Sequence, residues 1–295
     1  MPGTIMGLYT EKQIQIDRQR ESILARYPAL WDQMIAEWRS PGSEDRAWLM
    51  YSANYLFRTR GVRWAIDPLR LISRLPQASA MQVAGDLKDL EIVLLTHRHS
   101  DHLDLGLLSA LRHLPVWWIV PEDILTLVQK QAGLPSKQIL VPKVMHPIDL
   151  LGLRISPFRG QHWRADPDYP SGRRGVPETG YLVEQGHKRW LFPGDTRTYD
   201  PSQLPGFGGV DAAFVHLWLG RACALVERPP LLESFSSFCE ALRSKRIIVT
   251  HLQEFGRKPD DYWDESHFQQ VKHSLQATAP DIAVESATMG ESLIL

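Results

Sequence analysis

Residues 97–102 read His97-Arg98-His99-Ser100-Asp101-His102, which puts three imidazoles and a carboxylate into six positions. Both kinds of group ligate divalent cations. By chance the pattern His-x-His-x-Asp-His would arise in roughly one chain per thousand of this composition. Side chains alternate along an extended segment, so His97 and His99 project to one side. Where the chain then turns toward a helix, Asp101 and His102 swing to a neighbouring position. Four ligands so close in sequence do not comfortably surround a single ion. Two ions about 3.5–4 Å apart would use them, provided that further ligands arrive from other parts of the chain.

Those ligands must be carried by elements that end at one place. The apolar run 91–96 reads as a strand covered on both faces, and it leads straight into the motif. Leu105, Leu107, Leu108 and Leu111 beyond it fit one face of a helix. Strands joined by a short turn are predicted from Ala47 to Ile66. Further strands are predicted at 116–120, 139–141, 153–158, 180–183, 189–192, 212–215, 246–250 and 282–284. Helical patterns at 121–132, 230–244 and 264–278 alternate with them, which predicts α/β layers. His162, Asp195 and His251 each follow one of these strands. Singly, His162 and His251 read as hydrogen-bonded strand-end residues, and Pro193-Gly194-Asp195-Thr196 as a turn. Beside the motif, each has the right type in the right topological position.

The segment 11–39 is predicted helical, with Pro28 dividing it into two helices. Trp31 and Trp38 lie on its apolar face as core residues. Its pattern leaves three roles open: padding the fold, covering the site, or forming a homo-oligomer contact. The expected organisation is an N-terminal helical extension, 1–46, followed by one domain, 47–295. The loop 164–177, carrying Arg164, Arg173 and Arg174, is the longest stretch without predicted structure and reads as a candidate lid.

Composition narrows the partners. The 33 basic and 34 acidic groups give a formal net charge of −1, so no global field favours nucleic acid. Cys223 and Cys239, the two cysteines, lack metal-ligand spacing and read as buried thiols in a reducing compartment. There is no signal-peptide pattern and no apolar run of roughly 18 residues. The expectation is a soluble, cytoplasmic protein without a stable membrane anchor.

The motif Thr96-His97-x-His99-x-Asp101-His102-Leu103-Asp104, with Gly160-Gln161-His162-Trp163 and Pro193-Gly194-Asp195-Thr196, resembles the metallo-β-lactamase superfamily. Among its branches, these motifs are most similar to the one containing the ascorbate-6-phosphate lactonases and the N-acylphosphatidylethanolamine phospholipase D enzymes. The resemblance covers about residues 47–295 and implies an αβ/βα four-layer sandwich with its active site along one edge of two facing sheets. It implies that His97, His99 and His162 hold one metal, that Asp101, His102 and His251 hold a second, and that Asp195 bridges them. Asp67, in Ala65-Ile66-Asp67-Pro68, matches a residue of the family that supports a ligating imidazole, although Asp-Pro is also a common turn opening. The implied chemistry is hydrolysis, with a metal-bridging hydroxide attacking an ester, lactone or phosphoester of a small anionic substrate. Asp195 and Asp101 are then catalytic candidates as well as ligands. Zinc is the default for a His-rich site, and manganese or iron also suits a carboxylate-bridged one.

For the substrate, the sequence offers Arg257 and His267 in the polar, aromatic stretch after His251, and His216 and Arg221 around Leu217-Trp218-Leu219-Gly220. Arg257 could bind an anionic group, and His267 could protonate a leaving group or sit in a helix cap. His113, His146, His187 and His273 are read as surface residues. Two other functions compete: a phosphodiesterase of the phospholipase D-like kind, and a non-catalytic binding module on the same fold. Lost ligands would mark the latter, and all seven are filled here. Oxygen-reducing di-iron members of the superfamily typically carry an acidic residue where His99 stands, which argues against redox chemistry.

Overall fold

The first helix departs from the expectation. The computed structural model describes residues 3–162, 164–165, 173–219 and 231–295. In it α1 runs unbroken over Gly3–Arg39 with Pro28 inside. Proline removes one backbone donor and clashes with the preceding turn, a cost of ~3 kcal/mol or more. On either side of Pro28, however, Tyr27, Trp31, Met34 and Trp38 are buried in the core. Each large apolar side chain contributes about 1.5–3 kcal/mol on burial, so packing outweighs the interrupted ladder. Three of these anchors also make polar contacts. Trp31 Nε1 donates to Asp86 at 2.8 Å, Trp38 Nε1 donates to the Phe57 carbonyl at 3.0 Å, and the Tyr27 hydroxyl accepts from Leu71 N at 3.1 Å.

Strands β1 (Arg46–Leu49), β2 (Tyr55–Thr59), β3 (Val62–Ile66), β4 (Ile92–Leu94), β5 (Trp117–Ile119) and β6 (Ile139–Leu140) follow, with α2 (Val83–Asp86), α3 (Leu105–Leu111) and α4 (Glu122–Leu127) between them. The second half holds β7 (Ile148–Leu150), β8 (Leu153–Arg159), the short pair β9 (Arg164–Ala165) and β10 (Arg173–Arg174), β11 (Thr179–Gln185), β12 (Lys188–Gly194) and β13 (Ala212–His216). Helix α5 (Leu231–Ala241), β14 (Arg246–Thr250), α6 (Glu265–Thr278), β15 (Ala283–Ser286) and β16 (Ser292–Ile294) complete it. Two seven-stranded sheets result, in the orders β16-β1-β2-β3-β4-β5-β6 and β15-β14-β13-β12-β11-β8-β7. Each is antiparallel at one end and parallel at the other. The sheets face each other across an aromatic layer, where Phe57 stacks on Trp64 at 3.8 Å and both meet Phe192 edge-on. Helices α1, α3 and α4 cover the outer face of the first sheet, and α5 and α6 that of the second. The expected four-layer αβ/βα sandwich is therefore the observed fold.

The apolar periodicity that predicted these strands places most of them closely, and 246–250 coincides with β14. The short pair β9 and β10, inside the stretch read as structureless, was not expected, and neither were β7 and β16. Burial of β7 and β16 is incomplete, so their apolar signal is weak. Cys239 is buried as expected, whereas Cys223 lies outside the described residues. So does the middle of the candidate lid, 166–172. Among the described residues no helix is long and apolar enough to cross a membrane.

Candidate metal centre

The parallel strands set the site, because ligands in α/β sheets gather beyond the carboxyl ends of such strands. Just past β4, His97 and His99 leave the extended chain, and a turn follows in which His102 N and Leu103 N both donate to the His99 carbonyl. Asp104 then caps α3, accepting from Leu107 N at 2.9 Å. Two of the residues at these strand ends adopt left-handed backbone that is uncommon outside glycine: Asp67 after β3 (φ 44°) and His251 after β14 (φ 68°). Asp195 follows Gly194 (φ 81°), at a register irregularity between β12 and β13 that re-aims the chain.

From these ends the side chains converge. His97, His99, His162 and Asp195 form one cluster, and Asp101, His102, Asp195 and His251 form a second, each with its potential ligand atoms within 4.8 Å of one another. Asp195 is common to both. Its Oδ2 lies 3.7 Å from His97 Nε2 and 3.7 Å from His162 Nε2, while its Oδ1 lies 3.3 Å from His102 Nε2 and 3.7 Å from His251 Nε2. His251 Nε2 is also 3.5 Å from Asp101. The Nε2 atoms of His97, His102 and His251 are buried and make no hydrogen bond. A buried polar atom without a partner costs about 1–3 kcal/mol, so three of them around one carboxylate fit a cation-binding cluster.

The backs of these imidazoles are held. Asp67 accepts from Thr96 N at 2.8 Å and from the Thr96 hydroxyl at 2.5 Å, and it pairs with His102 Nδ1 at 2.8 Å. Thr96 Oγ1 in turn sits 2.9 Å from His97 Nδ1. Asn54 ties the arrangement together by donating to the carbonyls of Asp67 and Asp101. Asp67 thus backs the His102 imidazole on the side away from Asp195.

Electrostatics separate the two clusters. Burial, reinforced by a neighbouring imidazole, pushes His97 and His99 down to about 4, and burial also depresses His162. Neutral imidazoles are the form that ligates metal. Burial opposes charge on His102 as well, but Asp195 and Asp67 outweigh it and hold its pKa well above the usual value. Burial likewise opposes ionisation of Asp195 and Asp101. The neighbouring imidazoles of His102 and His251 prevail at Asp195, and His251, His102 and Arg257 prevail at Asp101, so both carboxyls titrate well below the usual range.

The remaining candidates divide. His216 reaches Asp195 itself, with Nδ1 2.7 Å from Oδ1. Arg257 contacts Asp101 and also pairs with Glu254 at 3.0 Å and Asp261 at 2.8 Å. His267 is not brought to the clusters. It lies buried at the start of α6, where its Nδ1 takes part in a capping box with Asp264. Arg221 lies outside the described residues. His113, His146, His187 and His273 are exposed, as expected.

Glu178 escaped the sequence reading. It is buried, its Oε1 lies 3.1 Å from His97 Nδ1 and accepts from Asp195 N at 2.9 Å, and burial with nearby Asp195 raises its pKa to about 8. It fits only because two neighbours lack side chains: a Cβ on Gly160 or Gly194 would lie 2.6 or 2.4 Å from Glu178 atoms. No local pattern marks it, since it reaches the site through the pairing of β11 with β8 and β12.

The clusters open into a cleft of about 500 Å³ whose lining includes Arg74, Arg197, Trp218, Arg257 and Lys258. The Arg197 guanidinium lies 4.2 Å from the centre of the Trp218 ring. A larger groove of about 670 Å³ between α1 and the segment 288–292 contains none of the seven candidate ligands.

No curated protein matches the sequence significantly. Among solved structures, the fold is similar to Igni18, a metallo hydrolase from Ignicoccus hospitalis KIN4/I (19% identity, 85% of this chain and 98% of that one, TM-score 0.60). It is also similar to an isothiocyanate hydrolase from Delia radicum gut bacteria (20%, 85% and 98%, 0.58). CmlA, a diiron β-hydroxylase from Streptomyces venezuelae, shares the fold too (19%, 87% of this chain, 0.60), although this chain spans only 55% of its length. The family model described as the beta-lactamase superfamily domain matches residues 65–252, from the end of β3 to just past His251, and the chain belongs to that family.

Proposed function

We propose that the protein is a dinuclear metal-dependent hydrolase acting on an ester, lactone or phosphoester of a small anionic substrate. One observation carries this reading: two ligand clusters share Asp195, and three buried imidazole nitrogens face it without hydrogen-bond partners. His97, His99, His162 and Asp195 would hold one ion, and Asp101, His102, His251 and Asp195 the other. Bound there, divalent ions lower the pKa of water toward ~7 and polarise a carbonyl or phosphoryl oxygen. The protein's own groups do the rest. Asp195 is placed to accept a proton from the attacking water, and His216 holds its Oδ1. Arg74, Arg197, Arg257 and Lys258 line the cleft together with Asp101, Asp195 and Asp261, and the charge of bound ions would tip this balance toward a negatively charged substrate.

His99 beside His162, with ring nitrogens 2.8 Å apart, makes the first cluster rich in imidazole and favours hydrolysis over the oxygen chemistry named for CmlA. Zinc suits that donor set best, with manganese or iron as substitutes. Within the superfamily we place the chain beside the ascorbate-6-phosphate lactonase and phospholipase D-like branch, so a phosphodiester is the second substrate class to try. Metal analysis after reconstitution should find two ions per chain. Fewer than one would overturn the reading. A screen of lactones, phosphodiesters and thioesters with the reconstituted protein then identifies the substrate.

A further inference from the structure

The loop after His251 is held from outside by the first helix. Arg20 of α1 donates from Nε to the Phe255 carbonyl and from Nη2 to the Arg257 carbonyl, both at 2.7 Å. These two carbonyls flank Gly256, so one guanidinium spans the turn. Two further contacts run the same way: the Tyr262 hydroxyl donates to Gln19 at 2.6 Å, and Lys12 pairs with Asp264 at the start of α6. Within the loop, the Arg257 side chain is forked between Glu254 and Asp261, and its third contact is Asp101. Glu254 is itself fixed by Tyr51 and Arg74.

We propose that Arg20 is a positioning residue for the metal centre: by clamping the turn at Gly256 it sets Arg257 against Asp101, and so orients the Asp101–His102–His251 half of the site. The proposal rests on the dinuclear reading above, and it gives the N-terminal helix a role in the chemistry as well as in the core. The physical basis is that a ligating carboxylate keeps its direction through the groups hydrogen-bonded behind it. Planar, forked guanidinium is suited to holding two acceptors at once, whereas an ammonium is a point donor. The His97–His99–His162 half shares none of these contacts, so the effect is confined to one ion.

Calorimetric titration of the metal-free full chain with zinc tests this, using wild type, Arg20→Ala, Arg20→Lys and Tyr262→Phe, with melting followed by circular dichroism. In Arg20→Ala one equivalent should weaken by roughly 10–100-fold, the range for loss of a ligand's supporting group, while the other changes less than about twofold. Arg20→Lys should recover part of the loss. Tyr262→Phe, which deletes only the hydroxyl bond to Gln19, should shift the same equivalent by less, and it carries the test should Arg20→Ala fail to fold. Two wild-type equivalents that the variants leave unchanged, or weaken equally in step with melting temperature, would overturn the proposal alone. A single wild-type equivalent would overturn the dinuclear reading and the proposal with it.

Discussion

His97, His99 and His162 share one cluster with Asp195 as imidazoles kept neutral by burial, whereas Asp101, His102 and His251 share the other within a web of charge that includes Arg257 and Asp67. The first half is a set of uncharged imidazoles held from behind by single polar groups, Glu178 and Thr96 at His97 and Arg197 at His162. The second is an array of ion pairs, in which the folded protein has already matched each charge. Neutral ligands bind a cation by donation alone, so affinity there follows geometry and desolvation. Charged ligands must first give up other partners, and a proton on His102 competes directly with a metal. The difference predicts two ions of unequal affinity, with the first half filling before the second.

The strongest way to break the comparison is at the group both halves share. Asp195→Asn should retain the fold but lose roughly 10³-fold or more in turnover, together with at least one bound ion; an undiminished rate would remove Asp195 from its bridging place. Single-ligand variants sharpen it. His162→Ala should abolish the tighter equivalent and His251→Ala only the weaker, read by calorimetry; loss of the same equivalent in both would merge the halves into one site. A smaller effect is expected behind the second half, where Asp67→Ala should weaken one ion by about 10–100-fold in chelator competition.

Acid supplies the gentlest probe. His97 and His99 have folded values near 4 against 6.5 when unperturbed. A base whose folded pKa is depressed binds more protons in the unfolded chain, so stability falls as pH drops from about 6.5 toward 4. His102 has the opposite sign: its raised pKa stabilises the fold at low pH, and that contribution is lost as pH rises through its folded value. The melting temperature of the metal-free protein should therefore decline between pH 6.5 and 4. A flat profile over that interval would show that the first half does not depend on neutral imidazoles.

Local pattern made much of this legible. The motif, the strand ends at His162, Asp195 and His251, and Asp67 beside Pro68 are all visible because each element's type is written in a few consecutive residues. Partners set by strand register were not visible: Glu178 reaches Asp195 only through the pairing of Thr179 with Arg159, and nothing near Arg20 announces a turn far along the chain. Pro28 misled for a related reason, since the packing that carries α1 past it comes from distant residues such as Phe57 and Leu71. His267 lies in a motif that is local but ambiguous. Asp264-Glu265-Ser266-His267 serves as a helix cap, and a proton-donating histidine would look the same in sequence.

The edge of the first sheet has a consequence for synthesis. Strand β1 pairs on one side with β2 but on the other with β16, so that Arg46 faces Ile294. During translation, β1 leaves the ribosome long before its outer neighbour exists. For that interval the nascent chain presents an open strand edge beside the apolar residues Trp48 and Leu49, the kind of surface that chaperones cover and that other chains can capture. Yield in the cell should therefore depend on how fast the last strand arrives as well as on the stability of the finished sandwich.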